Sequence, residues 1–211
     1  DKYFNTNIEL DNERIFLFMD NNIEAYRIIS GADSWKYSFE DKNTSIVLAN
    51  VKYGNHIIFI KKNTPDVQSF YFEDKLAGRT IDFEAFKKET KYHIVDMDKR
   101  DSKIILDEPT DIPGESDIVW MDVNNNKIII QSIIQKKMFI STYDISDGKL
   151  LWKISRDISN FYLSNDLKPV FYKGNLLLPL ENKIEYIDEN GNISKVYSNK
   201  DMESIITFNG N

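Results

Sequence analysis

Ala25-Tyr26-Arg27-Ile28-Ile29-Ser30-Gly31-Ala32-Asp33-Ser34-Trp35 and Thr142-Tyr143-Asp144-Ile145-Ser146-Asp147-Gly148-Lys149-Leu150-Leu151-Trp152 are one phrase written twice. In both, a polar residue (Arg27, Asp144) is followed four positions later by a glycine, and four after that by a tryptophan. Two degenerate copies accompany them. Asp98 to Leu106 keeps the spacing with Ser102 at the glycine position and Leu106 at the tryptophan position. Asp188 to Lys195 is one residue shorter before Gly191 and has no aromatic. A strand–turn–strand unit repeated at long period implies blades or coils that stack on one another, because one unit alone cannot bury its apolar face.

Upstream of each phrase lies a hairpin. Its turn carries Asp11-Asn12, Gly54-Asn55, Asn124-Asn125-Asn126 or Gly174-Asn175, residues that tolerate the positive φ of two-residue hairpin turns. Each unit therefore reads as four antiparallel strands. The units cover about 3–40, 45–107 (with an insertion over 62–91), 117–155 and 168–198, and 204–211 reads as the start of a further one. The second strands, Ile57-Ile58-Phe59-Ile60, Ile128-Ile129-Ile130 and Leu176-Leu177-Leu178, are continuously apolar. That pattern belongs to strands covered on both faces, as between neighbouring blades. The expected fold is all-β, a β-propeller of four-stranded blades with one short helix in the second. An ordinary antiparallel sandwich with chance glycine–tryptophan spacing is the competing architecture.

The phrase resembles the PQQ-like repeat of the quinoprotein-type propellers, whose consensus is Ala-x-Asp-x-x-Thr-Gly-x-x-x-Trp. Ala25, Ser30, Gly31 and Trp35 carry the likeness in the first copy, where Arg27 replaces the aspartate; Asp144, Gly148 and Trp152 carry it in the third. The repeat set is thus Gly31, Trp35, Asp144, Gly148, Trp152 and Gly191. The resemblance implies that glycine supplies a left-handed turn and tryptophan fills the gap between blades. Dehydrogenases of this class bind PQQ and calcium over a full ring, often beside a cysteine pair. Non-catalytic relatives use the repeats as binding scaffolds, many of them outside the cytoplasm, so an extracytoplasmic location is the expectation. Fold alone does not carry activity.

Nothing in the composition conflicts with a soluble chain that buries one core: of 211 residues, 41% are hydrophobic and 29% charged. No linker divides it, so 1–211 reads as one domain, and no apolar run is long enough to cross a bilayer. A net charge of −7 argues against nucleic acid as the partner, since phosphate binding rests on clustered Lys and Arg. With no cysteine, disulfides, thiolate metal sites and cysteine nucleophiles are excluded.

No catalytic constellation emerges. His56 and His93, on the second and third strands of one unit, are near enough in the reading to meet, yet nothing beside them has metal-ligand spacing. Asp96-x-Asp98-x-x-Asp101 lacks the glycine and distal glutamate of a calcium loop and reads as a solvated hairpin. No Gly-x-Ser-x-Gly elbow, phosphate loop or His-Glu-x-x-His helix occurs. Asp107 to Asp117, with Pro109 and Pro113, reads as an exposed connection between blades. The expectation is no catalytic residue, no cofactor and no metal.

The individuality of the chain is expected in the insertion. Asp82 to Lys91 reads as a helix capped by Asp82, with Phe83 and Phe86 on one face and Phe70 and Phe72 upstream. These four phenylalanines either pack the insertion onto its blade or form a patch for a partner. The leading functional expectation is a non-enzymatic scaffold that binds a protein or peptide. A ligand- or glycan-sensing domain is the alternative, and a PQQ-dependent dehydrogenase the remote one. Further blades or a second copy would complete the ring.

Overall fold

A computed structural model describes residues 7–66, 83–158 and 168–198, arranged as four separate sheets of four antiparallel strands. The first blade is β1 (Asn7–Leu10), β2 (Arg14–Met19), β3 (Asn22–Arg27) and β4 (Asp33–Ser38). The second is β5 (Thr44–Asn50), β6 (His56–Asn63), β7 (Lys91–Asp98) and β8 (Ile104–Pro109), with α1 (Phe83–Glu89) between β6 and β7. The third is β9 (Asp117–Asn124), β10 (Lys127–Ile134), β11 (Lys137–Asp144) and β12 (Leu150–Asp157). The fourth is β13 (Val170–Tyr172), β14 (Asn175–Leu180), β15 (Lys183–Ile187) and β16 (Ile193–Ser198). Strand order within every blade is sequential, and the first strands approach one another, β1 with β5 and β5 with β9. This is propeller architecture. The 204–211 stretch lies outside the described residues.

Two of the continuously apolar second strands are buried on both faces, Ile57 to Ile60 and Ile128 to Ile130, whereas in the fourth blade Leu176 and Leu178 are buried and Leu177 only half-buried. They face two ways. Ile57, Phe59, Phe16, Phe18 and Val95 close the junction of blades 1 and 2. Ile58, Ile60, Ile128, Ile130 and Tyr143 close that of blades 2 and 3. Ile129, Ile140, Leu176, Leu178 and Ile187 close that of blades 3 and 4. Burying such a side chain fully contributes about 1.5–3 kcal/mol, so the junctions, rather than any one blade, hold the arc together.

The repeated phrase has one structural job. In every blade the pairing of third and fourth strands slips by one residue immediately before the turn, at Ala25/Tyr26, Asp96/Met97, Thr142/Tyr143 and Tyr186/Ile187. The bulge falls beside the fourth-strand residue Trp35, Leu106, Trp152 or Lys195. Trp35 Nε1 donates to the carbonyl of Lys99 in blade 2 at 2.5 Å, and Trp152 Nε1 to that of Glu189 in blade 4 at 2.9 Å. Leu106 and Glu108 lie under Gly148 of blade 3. Gly191, at φ +83°, is needed twice over: for its backbone, and because a Cβ there would stand 2.8 Å from Trp152 Cδ2.

Several local expectations are corrected. The β9–β10 turn is formed by Asn125 and Asn126, both at positive φ, as read, but the β13–β14 turn is Lys173-Gly174, one residue earlier than Gly174-Asn175. Asp11-Asn12 uses no positive φ. Asp11 Oδ1 instead accepts from the amides of Glu13 (2.8 Å) and Arg14 (2.7 Å), so a side chain closes that turn. The 107–117 connection is only partly exposed. β8 runs through Pro109, and Ile112, Gly114 and Ser116 are buried. Gly114 sits against the end of α1, where a Cβ would be 2.3 Å from the Lys87 carbonyl oxygen. The connection is therefore the seat on which the insertion rests.

Candidate ligand cleft between the first two blades

Three turns converge at one edge of the junction between blades 1 and 2. They are β1–β2 (Asp11, Asn12, Glu13), β5–β6 (Val51 to Asn55) and β7–β8 (Lys99, Arg100). Together they enclose a cleft of about 640 Å³. Its framework is Lys99, only 5% exposed. Lys99 Nζ donates to the Gly54 carbonyl at 3.0 Å, to Asp11 Oδ2 at 3.3 Å and to the Val51 carbonyl, and lies over the Phe16 ring. Its own carbonyl accepts from Trp35 Nε1 and Arg14 Nη1. A buried ammonium is tolerated only when so fully paired. Burial works to raise the Asp11 carboxyl, but the amides of Glu13 and Arg14 and the Lys99 ammonium outweigh it and hold it below the usual carboxylate range.

The wall carries four basic side chains, Arg14, Lys52, Lys99 and Arg100, against two acidic ones, Asp11 and Glu13. Lys99 and Asp11 neutralise each other; the exposed Lys52 ammonium acts on the Glu9 and Asp122 carboxylates, while Arg100 is exposed and its side chain hydrogen-bonds to nothing among the described residues. In a chain of net charge −7 this is a local positive field that favours an anionic ligand. The repeat builds a corresponding cleft of about 320 Å³ between blades 3 and 4, from Asn124, Asn125, Trp152, Gly174 and Glu189 among others. There one lysine, Lys127, faces Asp188 and Glu189. The same backbone geometry thus makes both clefts, and the side chains at the turns give them opposite charge.

The histidines do not meet. In the register of β6 and β7, His56 pairs with Asp98 and Lys61 with His93, which puts the rings at opposite ends of the pair. His56 Nδ1 lies 2.8 Å from Asp96 Oδ1, and His93 Nδ1 lies 3.0 Å from Asp107 Oδ1, which also pairs with Lys61. Asp96 is buried rather than solvated, and that burial raises its pKa against the opposing pull of His56. Burial would raise Asp107 too, but His93 and Lys61 outweigh it and hold it low. Asp98 and Asp101 are spent on turn amides, those of Arg100 (2.7 Å) and Lys103 (3.0 Å). Among the described residues no group of three or more His, Asp or Glu is placed to hold a metal ion.

Of the four phenylalanines read as a partner patch, Phe70 and Phe72 lie outside the described residues, as does the capping Asp82. Phe83 is 64% exposed and Phe86 half-buried on α1. Among the repeat residues, Asp144 Oδ1 accepts from the amide and hydroxyl of Ser146 at 2.7 and 2.6 Å, so it closes the turn. Sequence reading missed the cleft residues Arg14, Lys52, Lys99 and Arg100. One signal was present: Lys99 is a lysine at the repeat position held by Ile28 and Ile145 in the two well-kept copies.

No known protein family and no curated protein matches the sequence. Solved structures do share the fold. A protein of unknown function from Bacteroides caccae superposes at TM-score 0.56 with 11% identity, over 97% of this chain and 65% of that one. The WD40 domain of Toxoplasma gondii coronin gives 0.55 with 12% identity, over 92% and 45%. A quinohemoprotein alcohol dehydrogenase from Pseudomonas putida HK5 gives 0.51 with 9% identity, over 90% and 34%. The chain spans less than two thirds of the length of each of these structures.

Proposed function

We propose that this chain is a non-enzymatic propeller module that binds a protein partner, and that the cleft between blades 1 and 2 holds an acidic peptide segment of that partner. The observation that carries the reading is the exposed cation Arg100, whose side chain has no hydrogen bond or ion pair among the described residues, at a cleft whose walls are fixed by the buried Lys99. Turns at a blade edge can vary without disturbing the strands behind them, which suits them to recognition. A carboxylate placed between Arg100 and Arg14 gains charge-assisted hydrogen bonds, Arg14 being already oriented by the Lys99 carbonyl. Peptide carboxylates fit better than a nucleic acid, whose many phosphates would meet a chain of overall negative charge.

The test is titration of the protein with a fluorescent Glu/Asp-rich peptide and with its Gln/Asn counterpart. Binding of the acidic peptide should weaken by about tenfold for Arg100→Glu, which corresponds to about 1.4 kcal/mol. It should also weaken with added salt, because the site is open to solvent. Equal binding of both peptides, or an Arg100→Glu variant that binds as the parent does, refutes the assignment.

A further inference from the structure

The turn between third and fourth strands places one residue at each inner junction of the arc. The residue before it fixes the turn through its amide: Asp98 donates to the Lys103 carbonyl, Asp144 to that of Lys149 and Asp188 to that of Asn192. Lys99, Ile145 and Glu189, which follow, are therefore equivalent. Two of them plug their junction. Lys99 is buried between blades 1 and 2, and Ile145 is buried in the core between blades 2 and 3. Glu189 is exposed instead. Its carbonyl still accepts from Trp152 Nε1, as that of Lys99 accepts from Trp35 Nε1, so the backbone geometry is kept while the side chain does not fill the junction.

The cleft of about 320 Å³ between blades 3 and 4 lies at this point, lined by the half-buried Trp152 and Phe171. Thr142, paired with Trp152 across β11 and β12, also lines it; the side chain is fully buried, and its hydroxyl finds no hydrogen-bond partner among the described residues. Leaving a buried hydroxyl so costs free energy that a group entering the cleft can recover. The Glu189 carboxylate has no hydrogen bond or ion pair among the described residues. Asp188 adds a second negative charge, held ionised by the amides of Asn192 and Asn190. Lys127, the cation at the wall, is engaged by the Glu189 carbonyl at 3.2 Å.

We propose that this cleft takes a basic side chain, lysine or arginine, of a partner protein, in the place that Lys99 fills from within at the first junction. Lys99 shows what such a place supplies to a cation: the Val51 and Gly54 carbonyls, the Asp11 carboxylate and the Phe16 ring. Between blades 3 and 4 the Glu189 and Asp188 carboxylates, the Thr142 hydroxyl and the Trp152 indole offer the same kinds of partner. Each of these can accept a hydrogen bond or present a π face, and lysine and arginine side chains carry donors only. An acidic side chain would meet two like charges there. The site is separate from the acidic-peptide cleft and does not depend on it.

Fluorescence titration of the whole chain with a Lys/Arg-rich peptide, and with its acetyl-lysine/citrulline counterpart, tests the assignment. Glu189→Lys reverses the charge and supplies the plug that the first junction has. Glu40→Lys, at an exposed carboxylate just past β4, changes the net charge equally but away from the cleft. The basic peptide should bind and its neutral counterpart should not. Glu189→Lys should weaken binding about tenfold or more, and Glu40→Lys by less than about twofold. Thr142→Val removes the unpartnered hydroxyl; it should weaken binding several-fold while the urea midpoint stays level or rises. Equal binding of the two peptides, an equal loss with Glu40→Lys, or undiminished binding by Glu189→Lys or Thr142→Val overturns the proposal. Binding of the acidic peptide should be the same in all three variants as in the parent, so the function proposed above stands or falls on its own test.

Discussion

Gly191→Ala isolates the contact that makes the repeat a repeat. Two costs fall on that one methyl group. An L-residue at φ +83° loses about 1–2 kcal/mol to backbone sterics. The new Cβ would also stand 2.8, 2.9 and 3.1 Å from Trp152 Cδ2, Cγ and Cε3, and displacing a packed indole costs about 1–3 kcal/mol. Gly31 and Gly174 have the same left-handed backbone, at +62° and +79°, with nothing within 4 Å, so alanine there carries the first cost only. Urea unfolding of the three variants should therefore order Gly191→Ala well below the other two, with midpoints shifted and slopes unchanged. Trp152→Leu closes the argument, because Leu106 shows that leucine suits this position. In that background the steric part should vanish, giving a coupling of about 1–3 kcal/mol between the two changes. If Gly191→Ala costs no more than Gly31→Ala, or the pair adds without coupling, the indole does not rest on that turn and the account of the junctions is wrong.

Two further outcomes follow from the same structure. Glu185, 1% exposed, binds Arg156 and Lys183 at 2.6–2.8 Å; burial works to raise its pKa, but these partners outweigh it and leave it lowered. Its contribution is then present above the ordinary carboxylate range and lost as pH falls through the lowered folded value. Glu185→Gln should cost about 2–3 kcal/mol near neutral pH, and urea midpoints of parent and variant should converge as pH falls below the ordinary carboxylate range. Ser102 stands at φ +56° in the glycine position of the second copy. Ser102→Gly should raise the thermal midpoint by relieving up to about 1 kcal/mol of backbone strain, and a lowered midpoint would show that the Ser102 hydroxyl's bond to the Asp101 carbonyl matters more.

The strands were legible in the sequence because their signals are local. Arg14–Met19 and Lys127–Ile134 stand where the apolar runs and flanking turn residues put them, and the both-faces burial of Ile57 to Ile60 follows from an uninterrupted apolar run. The glycine–tryptophan spacing likewise carried the junction, since one residue supplies the turn and the other the reach. Where a side chain competes with the backbone, local reading failed. Asp11 closes its turn through Oδ1, and in a stretch that reads as polar Ile112 is buried in the core between blades 2 and 3, Gly114 against the end of α1, and Ser116 where its carbonyl accepts from the Tyr92 hydroxyl.

The site was legible hardly at all. Arg14, Lys52, Lys99 and Arg100 are scattered over three hairpin turns of two blades, and no spacing in the chain relates them. The sequence by itself determined the unit, four strands with a left-handed turn between the third and the fourth, because hydrogen bonding and φ preference act within a dozen residues. Only the tertiary structure decided which turns share an edge and which lysine is buried between them. Those properties belong to the packing of one unit against another, where charge and exposure depend on neighbours far away along the chain.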